Sequence, residues 1–296
     1  MRVCGILTFA GLLLAATPVL AQPSTTPVVA VAPQYDTTHV YVAQADMAAF
    51  AASFTATFGG QSSKPAIMTV TPTPSSTSFE AVQTPAGSLS VFGFTTPIPY
   101  GFGAERTGYL VADMDVAIAA AKADGADVLV APFADPIGRD AVIQWPGGVN
   151  MQLYWHTTAP SYTPLATAPE NRLYLSRERA DAFIRGFLAF SHGTVTANDA
   201  AAPGIEIGRP EETFRRVRIS SAFGKAVVLV TDGHLPWPYG RELTGYEVAD
   251  LAATLAKATA SGATVLVPPY VADHRNAAIV QFPGGYIAEI HAPLPQ

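Results

Sequence analysis

The chain has 296 residues, enough for two domains of ordinary size. Charged residues make up only 14% and hydrophobic residues 49%, which excludes a disordered chain. A formal net charge of -6 without a basic run excludes a nucleic-acid binder or a polybasic membrane-surface protein.

The N-terminus reads as a targeting segment. Arg2 gives a positive start, residues 5–16 are apolar, and Pro18-Val19-Leu20-Ala21 supplies small and aliphatic side chains at a cleavage site. The expectation is a signal peptide over residues 1–21, cut after Ala21, and a periplasmic or secreted mature protein with no stable membrane span. The alternative is an uncleaved anchor, for which the apolar run is short. Cys4 lies before that run, so the mature chain has no cysteine and must be held by packing rather than disulfides. Residues 22–34, rich in Pro and Thr, read as a linker.

From there the pattern alternates. A strand is predicted at residues 39–42. A helix follows at 45–58, with Met47, Phe50, Phe54 and Phe58 on one apolar face and Gly59-Gly60 as its stop. Strands are predicted at 66–71, 78–83 and 89–94. A second unit repeats this order: strand 108–111, helix 115–123 stopped by Gly125, strand 127–130, strand 141–145, a Pro146-Gly147-Gly148 turn, and strand 149–154. Residues 157–169, with Pro and Thr but no periodicity, read as a linker between domain 1 (35–156) and domain 2 (170–296).

Domain 2 copies domain 1. Thr107-Gly108-Tyr109 returns as Thr244-Gly245-Tyr246. Gly125-Ala126-Asp127-Val128-Leu129-Val130 returns as Gly262-Ala263-Thr264-Val265-Leu266-Val267, and Trp145-Pro146-Gly147-Gly148 as Phe282-Pro283-Gly284-Gly285. The spacing is 137 residues for both Gly108 to Gly245 and Pro146 to Pro283. So long a period means a duplicated domain, not a solenoid.

The order βαβββ, twice per domain, with Val-Ala-Asp before the second helix and Pro-Gly-Gly before the last strand, resembles the vicinal-oxygen-chelate (glyoxalase and bleomycin-resistance) superfamily. The resemblance spans nearly all of residues 35–296. It implies an α+β fold of two tandem domains, each a pair of βαβββ modules forming a cupped mixed sheet around a small-molecule cavity. It also implies an intramolecular pseudo-dimer. The superfamily includes glyoxalase I, extradiol dioxygenases, epimerases, fosfomycin-modifying enzymes and metal-free antibiotic-binding proteins, and fold alone does not choose among them.

Enzymes of that kind hold a divalent metal with His, Glu or Gln from the first strand of one module and the last strand of the other. In domain 1 those positions carry His39, Arg106 and Gln152. Arginine has no lone pair to give, so His39 and Gln152 remain as an incomplete metal pair. The plain reading of His39 is a cavity-lining side chain bonded to Gln152. In domain 2 the equivalents are Arg172, Leu243 and Glu289, and the expectation is an Arg172–Glu289 ion pair in place of a metal. Arg216 and Arg218 alternate with Val217 and Ile219. They either face the cup, where with Arg172 they suit an anion, or lie on a solvated edge strand. His291 alternates with Glu289 and shares its face, while His192 sits at a helix end.

The functional expectation is an exported binder of a small aromatic or anionic molecule, with no cofactor and no nucleic-acid partner. The alternative is a metal-dependent glyoxalase-like lyase or isomerase, or a dioxygenase, working through domain 1.

Overall fold

The computed structural model describes residues 1, 28–98 and 106–294, and the Arg106 side chain is outside that description. Residues 2–21 of the predicted signal peptide, 22–27 of the linker and residues 99–105 between the two modules of domain 1 also lie outside the described residues.

Domain 1 begins with β1 (Thr37–Tyr41), α1 (Met47–Phe58), two short strands β2 (Gln61–Ser62) and β3 (Ala66–Met68), then β4 (Thr77–Thr84) and β5 (Gly87–Phe94). Its second module is β6 (Arg106–Leu110), α2 (Met114–Ala123), β7 (Asp127–Ala134), β8 (Gly138–Trp145) and β9 (Val149–His156). Domain 2 follows the same plan. Its first module is β10 (Glu170–Ser176), α3 (Arg177–Ser191), β11 (Thr194–Pro203), β12 (Thr213–Ser221) and β13 (Gly224–Thr231). Its second is β14 (Leu243–Glu247), α4 (Leu251–Ala260), β15 (Thr264–Ala272), β16 (Arg275–Gln281) and β17 (Ile287–Pro293).

The strand predicted at 66–71 is shorter than expected. Pro72 and Pro74 cannot donate to a ladder, and Thr71 turns the chain by bonding the Thr73 carbonyl at 2.7 Å. The Asp of each repeated Val-Ala-Asp is a helix N-cap. Asp113 accepts from the Val116 amide and Asp250 from the Ala253 amide, each at 3.0 Å. His192 closes α3 in the left-handed conformation, its amide bonded to the Leu188 carbonyl.

Each domain is one mixed sheet. The order in domain 1 is β2-β4-β5-β1-β6-β9-β8-β7, with β3 also on β4, and in domain 2 it is β11-β12-β13-β10-β14-β17-β16-β15. The two modules of a domain meet at a central antiparallel pair. There β1 lies against β6 with His39 opposite Arg106, and β10 against β14 with Arg172 opposite Leu243. Last strands run parallel beside them, placing Gln152 next to Gly108 and Glu289 next to Gly245. Thus the positions read from the sequence converge at the middle of each sheet.

The side chains that point away from the cups form cores shared between domains. One core joins Tyr109, Trp145 and Leu153 of domain 1 to Phe183, Phe190 and Val228 of domain 2. The other joins Phe50, Phe54 and Val91 of domain 1 to Tyr246, Phe282 and Ile290 of domain 2. Aromatic rings interlock across both, with Phe54 5.2 Å from Phe282 and Trp145 5.3 Å from Phe190.

Both linkers are partly structured. Ala30 bridges to Val111, and the Val31 amide bonds the Leu110 carbonyl. Between the domains, the Ala166 amide bonds the Pro85 carbonyl at 2.7 Å and the Thr167 hydroxyl bonds the Glu247 carbonyl at 3.0 Å.

Candidate functional sites in the two cups

Strand alternation decides what faces each cup. In β1 it turns Thr37, His39 and Tyr41 inward, and in β9 Gln152, Tyr154 and His156, around a cavity of about 180 Å³. Phe79, Ser90 and Phe92 come from β4 and β5, Asp140 from β8, and Ile137 from the β7–β8 hairpin. His39 and Gln152 are both buried.

The walls are aromatic. Phe92 stacks on Tyr41 at 5.4 Å and meets the His39 ring edge-on at 5.3 Å, with Phe79 5.6 Å away. Tyr154 donates its hydroxyl proton to the Tyr35 carbonyl. Tyr35 in turn packs against Tyr162 at 5.6 Å, which brings the inter-domain linker to the cavity wall. Burial pushes the His156 imidazole below its usual pKa, and Asp135 opposes the shift. Neutral imidazole is thereby favoured beside the apolar wall.

Among the described residues, no three His, Cys, Asp or Glu side chains converge as a metal-holding group. The donor set that the cup does offer at the expected positions is one imidazole and one amide, which does not fit a divalent cation needing three or four ligands.

The glycine of the repeated Gly-Tyr pair has a steric reason. A Cβ at Gly108 would come 2.4 Å from His39 Nε2, and one at Gly245 would come 2.5 Å from Glu289 Oε2. Each site side chain lies over a bare stretch of strand, while the neighbouring Tyr109 or Tyr246 points into a shared core.

Domain 2 fills the corresponding space with ions. Arg172, 1% exposed, lies with its Nη1 2.8 Å from Glu170 Oε1 and 3.6 Å from Glu289 Oε1, and its Nη2 3.9 Å from Glu206 Oε2. The expected Arg172–Glu289 pair is therefore present, but Glu170 is the nearer partner. Arg275 also reaches Glu170, at 3.1 Å. His291 Nδ1 lies 2.9 Å from Glu289 Oε2, on the face that alternation predicted.

Arg216 and Arg218 face this cup, since Val217 and Ile219 enter the core behind them. The solvated edge-strand reading is corrected: β12 lies between β11 and β13, and Arg216 is buried. Their charges are met inside the chain. Arg216 pairs with Glu206 and, at 2.9 Å, with Asp273; Arg218 lies 2.6 Å from both Glu170 and Asp273.

Electrostatics separates the three buried glutamates of this cup. Burial alone would raise the Glu289 pKa, but Arg172, then His291 and Arg275, hold it down at about 2. Glu170 is likewise held well below the usual range because Arg275, Arg172 and Arg218 outweigh its burial. In Glu206 burial wins over Arg172 and Arg216, and its pKa is raised.

Sequence reasoning missed Glu170, Glu206, Asp273 and Arg275. Glu170 was recoverable, since it stands two residues from Arg172 on the same strand face. Glu206 sits in a 3-10 turn, Gly204–Ile207, and Asp273 at a hairpin tip; neither position has a periodicity to betray it. The aromatic loop at 234–239 closes over this side. Its Tyr239 hydroxyl donates to the Ile205 carbonyl at 3.4 Å.

No protein-family model matches the sequence, and no curated protein matches it. Solved structures do match in fold. A mutant of 4-hydroxymandelate synthase from Streptomyces coelicolor aligns with a TM-score of 0.58 at 12% identity, over 91% of this chain and 94% of that one. The Mn(II)-bound glyoxalase from Novosphingobium aromaticivorans aligns at 0.53 and 12% identity, over 90% and 83%. The 2,3-dioxygenase LapB from Pseudomonas sp. KL28 aligns at 0.51 and 11% identity, over 88% and 91%.

Proposed function

From the tandem vicinal-oxygen-chelate fold that this chain carries, we propose that it binds a small aromatic molecule, without metal, in the cup of domain 1. The observation that carries this reading is the aromatic cavity of about 180 Å³ beneath Tyr41, Phe79 and Phe92. A dry apolar cavity of roughly 150 Å³ accommodates a benzene ring. The ligand is therefore about one ring in size, and His39, Gln152 and Asp140 are among the polar side chains on the cavity wall it would meet. An anionic ligand is the weaker half of the expectation, because the arginines of the domain 2 cup already have carboxylate partners.

Titration of the full chain with toluene, phenol and indole tests this. Saturable binding that is weakened at least roughly tenfold by Phe92→Ala is expected. Absence of binding across these small aromatic probes removes the reading. Elemental analysis of the purified chain tests the other reading, suggested by the enzymes that share the fold. Stoichiometric manganese, iron, nickel or zinc would move the assignment to a metal-dependent lyase, isomerase or dioxygenase using His39 and Gln152. Export is part of the proposal and rests on residues 2–21; the mature N-terminus should be Gln22, as read by mass spectrometry.

A further inference from the structure

The three buried glutamates of domain 2 share one partner, the guanidinium of Arg172, while Glu206 also pairs with Arg216, Glu289 with His291, and Glu170 with Arg218 and Arg275. Glu170 bonds the Arg172 guanidinium at 2.8 Å, and Glu289 and Glu206 stand 3.6 and 3.9 Å away. The latter two are buried to 0% and 1% exposure, and Glu289 Oε1 and Glu206 Oε2 accept no hydrogen bond in this arrangement. An acceptor left so deep inside is costly, so the three carboxylates form a cage with more acceptor capacity than its occupant satisfies. Arg172 enters from β10, at the strand position that His39 holds in domain 1.

A groove of about 430 Å³ reaches the cage from outside, lined by Glu170, Arg218, Arg275 and His291. Asp273 spans its inner side by pairing with both Arg216 and Arg218. Asp273 and the adjacent His274, at the tip of the β15–β16 hairpin, both take left-handed backbone conformations, with φ of 52° and 57°. The hairpin is thus fastened across the cup by its own carboxylate.

We propose that the domain 2 cup is a guanidinium-binding site occupied by the chain's own arginine. Glu170, Glu206 and Glu289 form the cage, Arg172 is the built-in ligand, and the Asp273 contacts with Arg216 and Arg218 hold the cup closed over it. The planar fork of a guanidinium can present donors to three carboxylates in different directions, which a point-like ammonium on a flexible stem does less well. Removing the Arg172 side chain should turn an intramolecular site into one that takes an alkylguanidinium from solution.

The experiment uses the full chain carrying Arg172→Ala, with ethylguanidinium as the probe at millimolar concentrations, well below those that denature. The substitution should lower Tm, and ethylguanidinium should restore most of the loss, with binding roughly tenfold tighter than that of ethylammonium by calorimetry. The unsubstituted chain should show no such response. Equal rescue by ethylammonium, rescue by manganese instead, or no rescue would each overturn the proposal. If Arg172→Ala gives no folded protein alone, refolding is repeated with the probe present. Folded protein only in that arm supports the site, and failure in both arms overturns it. Glu206→Gln with Arg172 intact supplies a second test. It should leave the chain folded and, combined with Arg172→Ala, weaken ethylguanidinium binding by roughly tenfold; unchanged binding would also overturn the cage.

Discussion

Arg172 and Glu289 stand 3.6 Å apart in domain 2 at the strand positions that His39 and Gln152 hold in domain 1. One copy of the duplicated domain keeps an imidazole and an amide there, and the other keeps opposite charges. Burying such charges costs several kcal/mol of solvation, returned only while every partner remains in place. Arg172→Met should therefore destabilise the chain by about 3–5 kcal/mol, lowering Tm on the order of 10 °C. The double substitution Arg172→Met, Glu289→Met should be less damaging than the sum of the two singles. Denaturant titration of all four proteins gives the coupling; additivity would mean that the pair does not interact.

The same cluster sets a response to acid. Glu289 has a folded pKa of about 2 against an ordinary 4.5, and Glu170 is lowered in the same direction. A depressed carboxylate pKa contributes stability that is fully present above the unfolded value and is lost as pH falls through the folded one. Unfolding free energy should thus drop steeply between about pH 4.5 and pH 2. Glu289→Gln should flatten that drop while lowering stability at pH 7. Urea titrations at pH 2.5, 4 and 7 measure both effects, and a slope unchanged by the substitution would count against this origin.

Asp36 should behave in the opposite sense. It is buried between the domains, beside Tyr109, Asn171 and Thr244, and burial raises its carboxyl well above the ordinary 3.8. A raised pKa means that the native state holds a proton which the unfolded chain has already released. The penalty therefore appears as pH climbs above the unfolded value and grows up to the folded one. Asp36→Asn should be close to neutral at pH 4 and stabilising at pH 8. Tm measured across that range for both proteins tests it, and a stability gap independent of pH would contradict it.

The repeated glycines make a paired prediction. At Gly108 a methyl group would press on the His39 ring, and at Gly245 on the buried Glu289 carboxylate. Gly108→Ala should displace His39 at the wall of an open cavity, weakening aromatic ligand binding while leaving Tm nearly unchanged. Gly245→Ala should instead move an ion held between Arg172 and His291, and cost stability by about 1–3 kcal/mol. Thermal melts beside indole titrations separate the two. Equal Tm losses would mean that the cups are equally rigid.

Much of this architecture could be read from residues alone. Where a residue type is tied to a local geometry, its position marks an element: Asp113 and Asp250 as N-caps, Gly125 and Gly262 after helices, and the two Pro-Gly-Gly blocks before the last strands. The central site positions were legible too, because the resemblance to the vicinal-oxygen-chelate superfamily implies ligand positions on the first and last strands, and His39, Gln152, Arg172 and Glu289 stand there. What stayed hidden depends on approach through space. Glu206, Asp273 and Arg275 reach the cluster from a turn and a hairpin. Tyr162 reaches the domain 1 cavity from a linker whose composition suggests only spacing. The sharing of both cores between domains belongs to the same class, since an apolar face does not name its partner.

That sharing has a thermodynamic consequence. Phe54 lies on a domain 1 helix, yet its ring packs against Tyr246 at 5.4 Å and Phe282 at 5.2 Å, both in domain 2. Trp145 of domain 1 packs in the same way on Phe190 of domain 2. Neither sheet covers its outer face with its own residues alone, so melting one domain strips half of both cores. Phe54→Ala should cost about 3–5 kcal/mol, and the loss should appear in one calorimetric transition for the whole chain. Hydrogen exchange should then quicken in β14 and β17 of domain 2 as much as in β1 and β5. A fragment spanning residues 28–156 should remain unfolded or associate through its bare apolar face, and should refold when mixed with residues 157–296. A separate melting transition for that fragment alone, at the temperature of the intact chain, would show that each domain carries a sufficient core.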